Sequence, residues 1–119
     1  SYLDLAECFL ETDPEVAGFL AGKELELLIY NLYEQVIPKG KGYRARDFRS
    51  RLEELWEKRY IREQQKEEII SWWETRNKAV HTDWVSASSE QLALFRKEVI
   101  KMISEVRKFK EKLNKEKLI

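Results

Sequence analysis

At 119 residues the chain can build one hydrophobic core but not two, and 43% hydrophobic against 37% charged residues suits a solvated helical bundle rather than a disordered chain. The formal charge of zero excludes the long-range phosphate steering of a strongly basic protein, while leaving room for local basic stripes. Cys8 is alone, so neither an intramolecular disulfide nor a cysteine-based metal cluster is available, and a reducing cytoplasmic setting fits.

A short first helix is expected over about 2–10. Thr12-Asp13-Pro14-Glu15 starts the next one: Asp13 is placed to cap orphan amides, Pro14 suits the first helical position, and Thr12 with Glu15 has capping-box spacing. This second helix runs to about Ile37, with Ala17, Ala21, Leu25, Leu28, Leu32 and Val36 on one stripe. Leu20, Leu27 and Ile29 widen the apolar surface, so it should be the central and most buried helix. Pro38 to Gly42 breaks it. A third helix, about 45–59, presents Phe48, Leu52, Leu55 and Trp56. No Gly or Pro marks a break between Arg59 and Arg62, the least well signalled boundary in the chain. The fourth helix, about 63–80, carries Ile69, Trp73 and Val80 on a stripe that also includes Asn77. Thr82 to Ala87 form a loop, and Ser88 with Gln91 has capping-box spacing for the final helix.

In that helix Leu92, Phe95, Val99, Met102, Val106, Phe109 and Leu113 are spaced as a heptad seam, which either packs within the domain or continues as a dimer contact. No period-two alternation predicts a strand. The expected fold class is all-α, an up-and-down antiparallel four-helix bundle with a short extra N-terminal helix, forming a single domain over 1–119. No apolar run reaches the roughly 20 residues of a membrane span, and no secretory signal is visible. The opening on Ser1 rather than methionine suggests a domain cut from a longer protein.

Charge is segregated. Residues 1–34 hold eight acids against Lys23 alone, whereas residues 39–51 hold Lys39, Lys41, Arg44, Arg46, Arg49 and Arg51 against Asp47. Arg44, Arg46, Arg49 and Arg51 can track RNA phosphates, with Tyr43 and Phe48 near for stacking. The other reading makes Phe48 core and the arginines solvated. The tail, 107–117, carries six bases against Glu111 and Glu116, and reads as a solvated helix face.

The chain's only histidine, His81, lies five residues after Arg76 in Arg76-Asn77-Lys78-Ala79-Val80-His81. An arginine and a histidine together can cleave RNA without a metal or other cofactor: imidazole moves protons near neutral pH, and guanidinium stabilises charge developing on the phosphate. On a regular helix Asn77 and His81 share a face, while Arg76 and His81 differ by about 140°. Either the helix frays before His81 or a two-fold partner supplies the second set. Structural roles fit the same residues: a helix C-terminus favours Arg and His, Trp72 and Arg76 are one turn apart for a cation–π pair, and Asn77 can bond to His81. Trp73 is expected in the core, with Trp72 and Trp84 free to pack a dimer cleft or a base. Asp83 can assist His81, but one His without a Cys pair excludes an ordinary zinc site.

The run Trp72 to His81 resembles the signature of the HEPN superfamily (higher eukaryotes and prokaryotes nucleotide-binding), an Arg followed by a polar residue, often Asn, and then by a His. Arg76, Asn77 and His81 stand at those positions. Residues Ala17 to Leu28 look like the family's opening core helix, and the likeness covers about 15–113. The resemblance implies a four-helix bundle, commonly a homodimer with the motif at its interface. It also implies a metal-independent endoribonuclease leaving a 2′,3′-cyclic phosphate and a 5′-hydroxyl, as in toxin–antitoxin, abortive-infection and CRISPR-linked systems. Arg76, Asn77 and His81 are then the expected catalytic residues, and Lys78 with the four arginines the expected RNA contacts. An antitoxin or a fused regulatory domain is a further expected partner. Some toxin members carry a Tyr two residues after the His that an antitoxin modifies with AMP; Asp83 stands there in this chain, which argues against that regulation. Other members are binding or dimerisation modules without nuclease activity.

Overall fold

The apolar stripe that begins at Pro14 becomes one 23-residue helix around which the rest of the chain assembles. In the computed structural model, which describes residues 1–40 and 42–119, the helices are α1 (Tyr2–Phe9), α2 (Pro14–Val36), α3 (Phe48–Glu57), α4 (Glu63–His81) and α5 (Ser89–Lys115). The described residues are all helix, turn or loop. Lys41, part of the expected basic run, lies outside them. α2 packs against all four of the other helices, as its two-sided apolar surface predicts. Among the described residues no helix is long and apolar enough to cross a membrane.

Local signals set the ends. Ser88 accepts from the Gln91 amide at 3.1 Å while Gln91 accepts from the Ser88 amide at 2.8 Å, completing the capping box of α5. At α2, Pro14 takes the first helical position, but Asp13 makes no side-chain cap bond, so the expected cap there is not formed. α3 is shorter than expected and ends in a Schellman turn: the Tyr60 amide donates to the Leu55 carbonyl and the Arg59 amide to the Trp56 carbonyl, with Arg59 at φ 65°. A non-glycine residue in the left-handed position explains why no Gly announced this boundary.

Close packing between α2 and α4 rests on two glycines. A Cβ at Gly18 would stand 2.9 Å from the Ala79 Cβ, and one at Gly22 would stand 2.9 Å from the Arg76 Cβ, so neither position has room for a side chain. The pairs 18 with 79 and 22 with 76 also show that the two helices run antiparallel. α4 buries Ile69, Trp72 and Ala79; of the expected stripe, Ile69 is buried and Trp73 is partly buried against the core, while Val80 is left exposed. The buried face leans toward Ala79, which meets Gly18 of α2, and toward Trp72, which packs on Phe109 of α5.

The seam of α5 is used inside the chain: Phe95, Val99, Met102, Val106, Phe109 and Leu113 are all buried, while Leu92 is only partly covered. The basic tail is not simply a solvated face. Arg107 pairs with Asp4 at 3.2 Å and with Glu7, and Lys110 reaches the buried Glu24 at 3.5 Å. Arg96 donates to the carbonyls of Leu10 and Glu11. The acids of α1 and α2 and the bases of α5 thus meet across the fold. Each exposed pair is worth little, and the short α1 is seated by Leu3 and Ala6, which are buried in the core.

Candidate functional site

Arg76 sits on the side of α4 that faces α2. Its Cβ and Cγ lie over Gly22, and its guanidinium emerges at the edge of the helix pair with the side chain 21% exposed. Three groups hold it. The carbonyl of the Asn77 side chain accepts from Nη1 at 3.1 Å, Glu26 on α2 lies 3.9 Å from Nη2, and the guanidinium carbon is 4.7 Å from the centre of the Trp73 ring. Trp73 itself stacks on Phe48 of α3, with ring centres 4.0 Å apart. The expected cation–π pair is therefore made with Trp73 and not with Trp72. Nε of Arg76 is buried with no hydrogen-bond partner. The guanidinium keeps N–H groups near the surface that can take a phosphate in paired hydrogen bonds.

His81 is the last residue of α4 and is exposed. The helix does not fray before it: α4 continues through His81, and the Thr82 amide closes the end on the Lys78 carbonyl at 3.2 Å. Arg76 and His81 therefore stay about 140° apart around one helix. Asn77 bonds to Arg76, and no bond joins it to His81 among the described residues. The chain brings Arg76 and Asn77 together and leaves His81 apart.

The loop after His81 is fixed by Trp84, which stacks on Phe95 with ring centres 4.3 Å apart and donates its indole N–H to the Ala79 carbonyl at 3.1 Å. It thereby caps the end of α4 and is not free to pack a base. Trp72 is also committed, buried with its indole N–H on Glu105 at 2.9 Å. Asp83, the expected helper of His81, accepts from the Ser86 amide at 3.4 Å within the loop.

The expected RNA contacts divide into engaged and open groups. Arg44 donates to the Ile37 and Pro38 carbonyls at 3.3 and 3.0 Å and pairs with Glu34 at 3.1 Å, which ties the segment before α3 to the end of α2. Lys78 is held by both oxygens of Glu98 at 3.0 Å. Arg46 and Arg49 are exposed. Arg51 lies over the Tyr30 ring at 4.9 Å, and its Nε is buried without a partner. Phe48 is core. Gly22, Glu26 and Trp73, which seat Arg76, were not singled out as site residues from the sequence; the one available signal was Gly22, a helix-interior glycine one turn after Gly18.

Near Arg76 the outer stripe of α2 is partly covered, by Lys23 over the Phe19 ring and by Arg51 over the Tyr30 ring. Phe19, Leu27 and Tyr30 are exposed on one helical face with the half-buried Lys23 among them, and Val80 is exposed on α4. Pairing of Gly22 with Arg76 puts this stripe at the level of the Arg76 site. Compared with protein-family models, with curated proteins and with solved structures, the chain matches none.

Proposed function

We propose that the chain is a HEPN-type domain, a four-helix bundle of α2 to α5 with α1 as the extra helix, and that two copies form a metal-independent endoribonuclease in the cytoplasm. The observation that carries this reading is the unbroken helix between Arg76 and His81. A single chain holds the guanidinium and the imidazole on different sides of α4, so a two-fold axis beside this helix is the arrangement that unites them. The exposed stripe of Phe19, Leu27, Tyr30 and Val80 supplies the apolar surface for that axis.

In the composite site, Arg76 of one protomer holds the scissile phosphate and stabilises the charge of the pentacoordinate state. The imidazole of His81 takes the proton from the 2′-hydroxyl or delivers one to the leaving 5′-oxygen. The 2′-oxygen bonds to phosphorus as the 5′-oxygen leaves, giving a cyclic phosphate and a 5′-hydroxyl. The 2′-hydroxyl requirement restricts the substrate to RNA. Asn77 orients Arg76, with which it already bonds. A defence or toxin–antitoxin role, with an antitoxin or a fused domain as regulator, follows from the same resemblance.

A non-catalytic binding or dimerisation module is the second reading, and one observation favours it. Arg76 is engaged by Asn77, Glu26 and Trp73 at once, as an arginine with a purely structural role would be. Cleavage of labelled single-stranded RNA in EDTA separates the two. The nuclease reading predicts cutting with cyclic phosphate ends, lost in folded Arg76→Ala and His81→Ala. Intact RNA across a broad panel of substrates would leave the binding module.

A further inference from the structure

Away from the Arg76 site, α5 carries a charged face that the fold leaves free. Lys97, Lys101, Lys108, Lys112 and Lys115 are all exposed, and at about 100° per residue they fall in a band about 60° wide that runs about 27 Å along the helix. The inner flank of α5 is matched: Arg107 pairs with Asp4 and Glu7, and Lys110 with Glu24. The five outer lysines make no ion pair among the described residues. Of the acids between them on α5, Glu98 is taken by Lys78 and Glu105 by the Trp72 indole N–H, and Glu111 alone is uncommitted. Lys97 with Lys101, and Lys108 with Lys112, stand one turn apart, a like-charge spacing that costs helix stability. Toward α4 the band borders a groove of about 360 Å³ floored by Ile69, Trp72 and Phe109, with Lys108 and Lys112 on the α5 wall and Glu68 on the α4 wall.

We infer that this face of α5 docks an acidic helix of a partner protein, with its carboxylates along the lysines and one apolar side chain in the groove over Trp72 and Phe109. The intervals between the lysines, 4, 7, 4 and 3 residues, are those at which a helix repeats one face, so a second helix laid along α5 can set an acid against each. Such pairing also relieves the repulsion within α5. The band is one helix wide, with Glu68 on its α4 side and Glu111 on its α1 side. A flat anionic membrane would press on both of those acids, whereas a helix of mixed charge can turn a base toward Glu68. Single-stranded RNA calls for exposed aromatic platforms between the cations, and here Trp72 and Phe109 are buried. Ammonium groups also replace the guanidinium forks that grip phosphate. The lysines give the partner its register and speed its encounter, and the groove takes its apolar anchor. The face includes none of Arg76, Asn77 and His81, so the docking does not rest on the nuclease reading.

The test is titration of isotope-labelled full chain, followed by two-dimensional NMR, with three synthetic Ala-rich helical peptides of about three heptads. The peptides share one central Leu and differ only in carrying Glu, Gln or Lys along one face. The Glu peptide should shift the amide signals of Lys101, Lys108 and Lys112 and the indole signal of Trp72, and at low salt should bind at least about tenfold more tightly than the Gln peptide. A folded Lys101→Glu/Lys108→Glu/Lys112→Glu variant should reverse the order and take the Lys peptide instead. If charge reversal unfolds the chain, the corresponding triple change to Gln, which only removes charge, should abolish the preference for Glu over Gln. Undiminished binding of the Glu peptide by either variant, equal binding of the Glu and Gln peptides to the native chain, or shifts confined to other surfaces would each overturn the inference. So would tighter binding, through the same lysines, of phosphatidylserine vesicles or of single-stranded RNA, because a membrane or a nucleic acid would then be the occupant.

Discussion

Arg76 occupies a position on α4 that continues the buried stripe of Ile69, Trp72 and Ala79, where an apolar residue would ordinarily stand. It fits only because Gly22 removes the side chain opposite, so its stem packs on the α2 backbone while its charged end reaches the surface. Gly22→Ala sets two effects against each other. Alanine favours the helix by about 1 kcal/mol, while overpacking against Arg76 costs about 1–3 kcal/mol. The expected outcome is a stability change smaller than about 2 kcal/mol in chemical denaturation with a large loss of RNA cleavage, since the guanidinium must move. The Arg76, Asn77, His81 motif could be read directly from the sequence. Its seat could not, because Gly22, Glu26 and Trp73 meet Arg76 only once α2, α3 and α4 are packed.

Between elements, Tyr33 joins α2 to α3 and to the segment before it. Its hydroxyl donates to the half-buried Glu54 at 2.7 Å and accepts from the buried Ala45 amide at 3.0 Å. Tyr33→Phe leaves a buried amide without a partner and should destabilise the fold by about 1–3 kcal/mol, read from the denaturation midpoint. The Tyr33 hydroxyl, foremost, holds the Glu54 carboxyl below the usual carboxylate range. A carboxyl lowered in the folded state stabilises above its unfolded value of about 4.3, and the contribution disappears as pH falls through the lower folded value. Stability should therefore fall below about pH 4, and Glu54→Gln should make that fall shallower. Acid unfolding that is identical in the two proteins would assign the acid sensitivity elsewhere. Helix existence and the burial of α2 and of the α5 seam were legible because their periodicity is unambiguous. The inward face of α4 was legible at Ile69 and Trp73 but not at Trp72 and Ala79, whose burial depends on Phe109 of α5 and Gly18 of α2 standing opposite them.

Across the whole molecule, zero net charge conceals a pairing of the acidic α1 and α2 with the basic α5, which the sequence shows as segregation without showing that the segments meet. Among the large apolar side chains left partly exposed, Phe19, Leu27 and Tyr30 form a stripe on one helix beside Arg76. If that stripe is the dimer face, sedimentation should give twice the 14.3 kDa of one chain. Phe19→Asp should then yield a folded monomer, destabilised by about 0.5–3 kcal/mol since the ring is only 38% exposed, that no longer cuts RNA. A native monomer would remove the composite site.

The most direct test of that site is complementation. Arg76→Ala and His81→Ala, each folded and inactive alone, are mixed, allowed to exchange subunits and assayed for RNA cleavage. With each site built from Arg76 of one protomer and His81 of the other, half of the mixed population is heterodimer and each heterodimer keeps one intact site. About a quarter of native activity should return. No recovery, with heterodimers demonstrably present, would contradict a site shared between two chains.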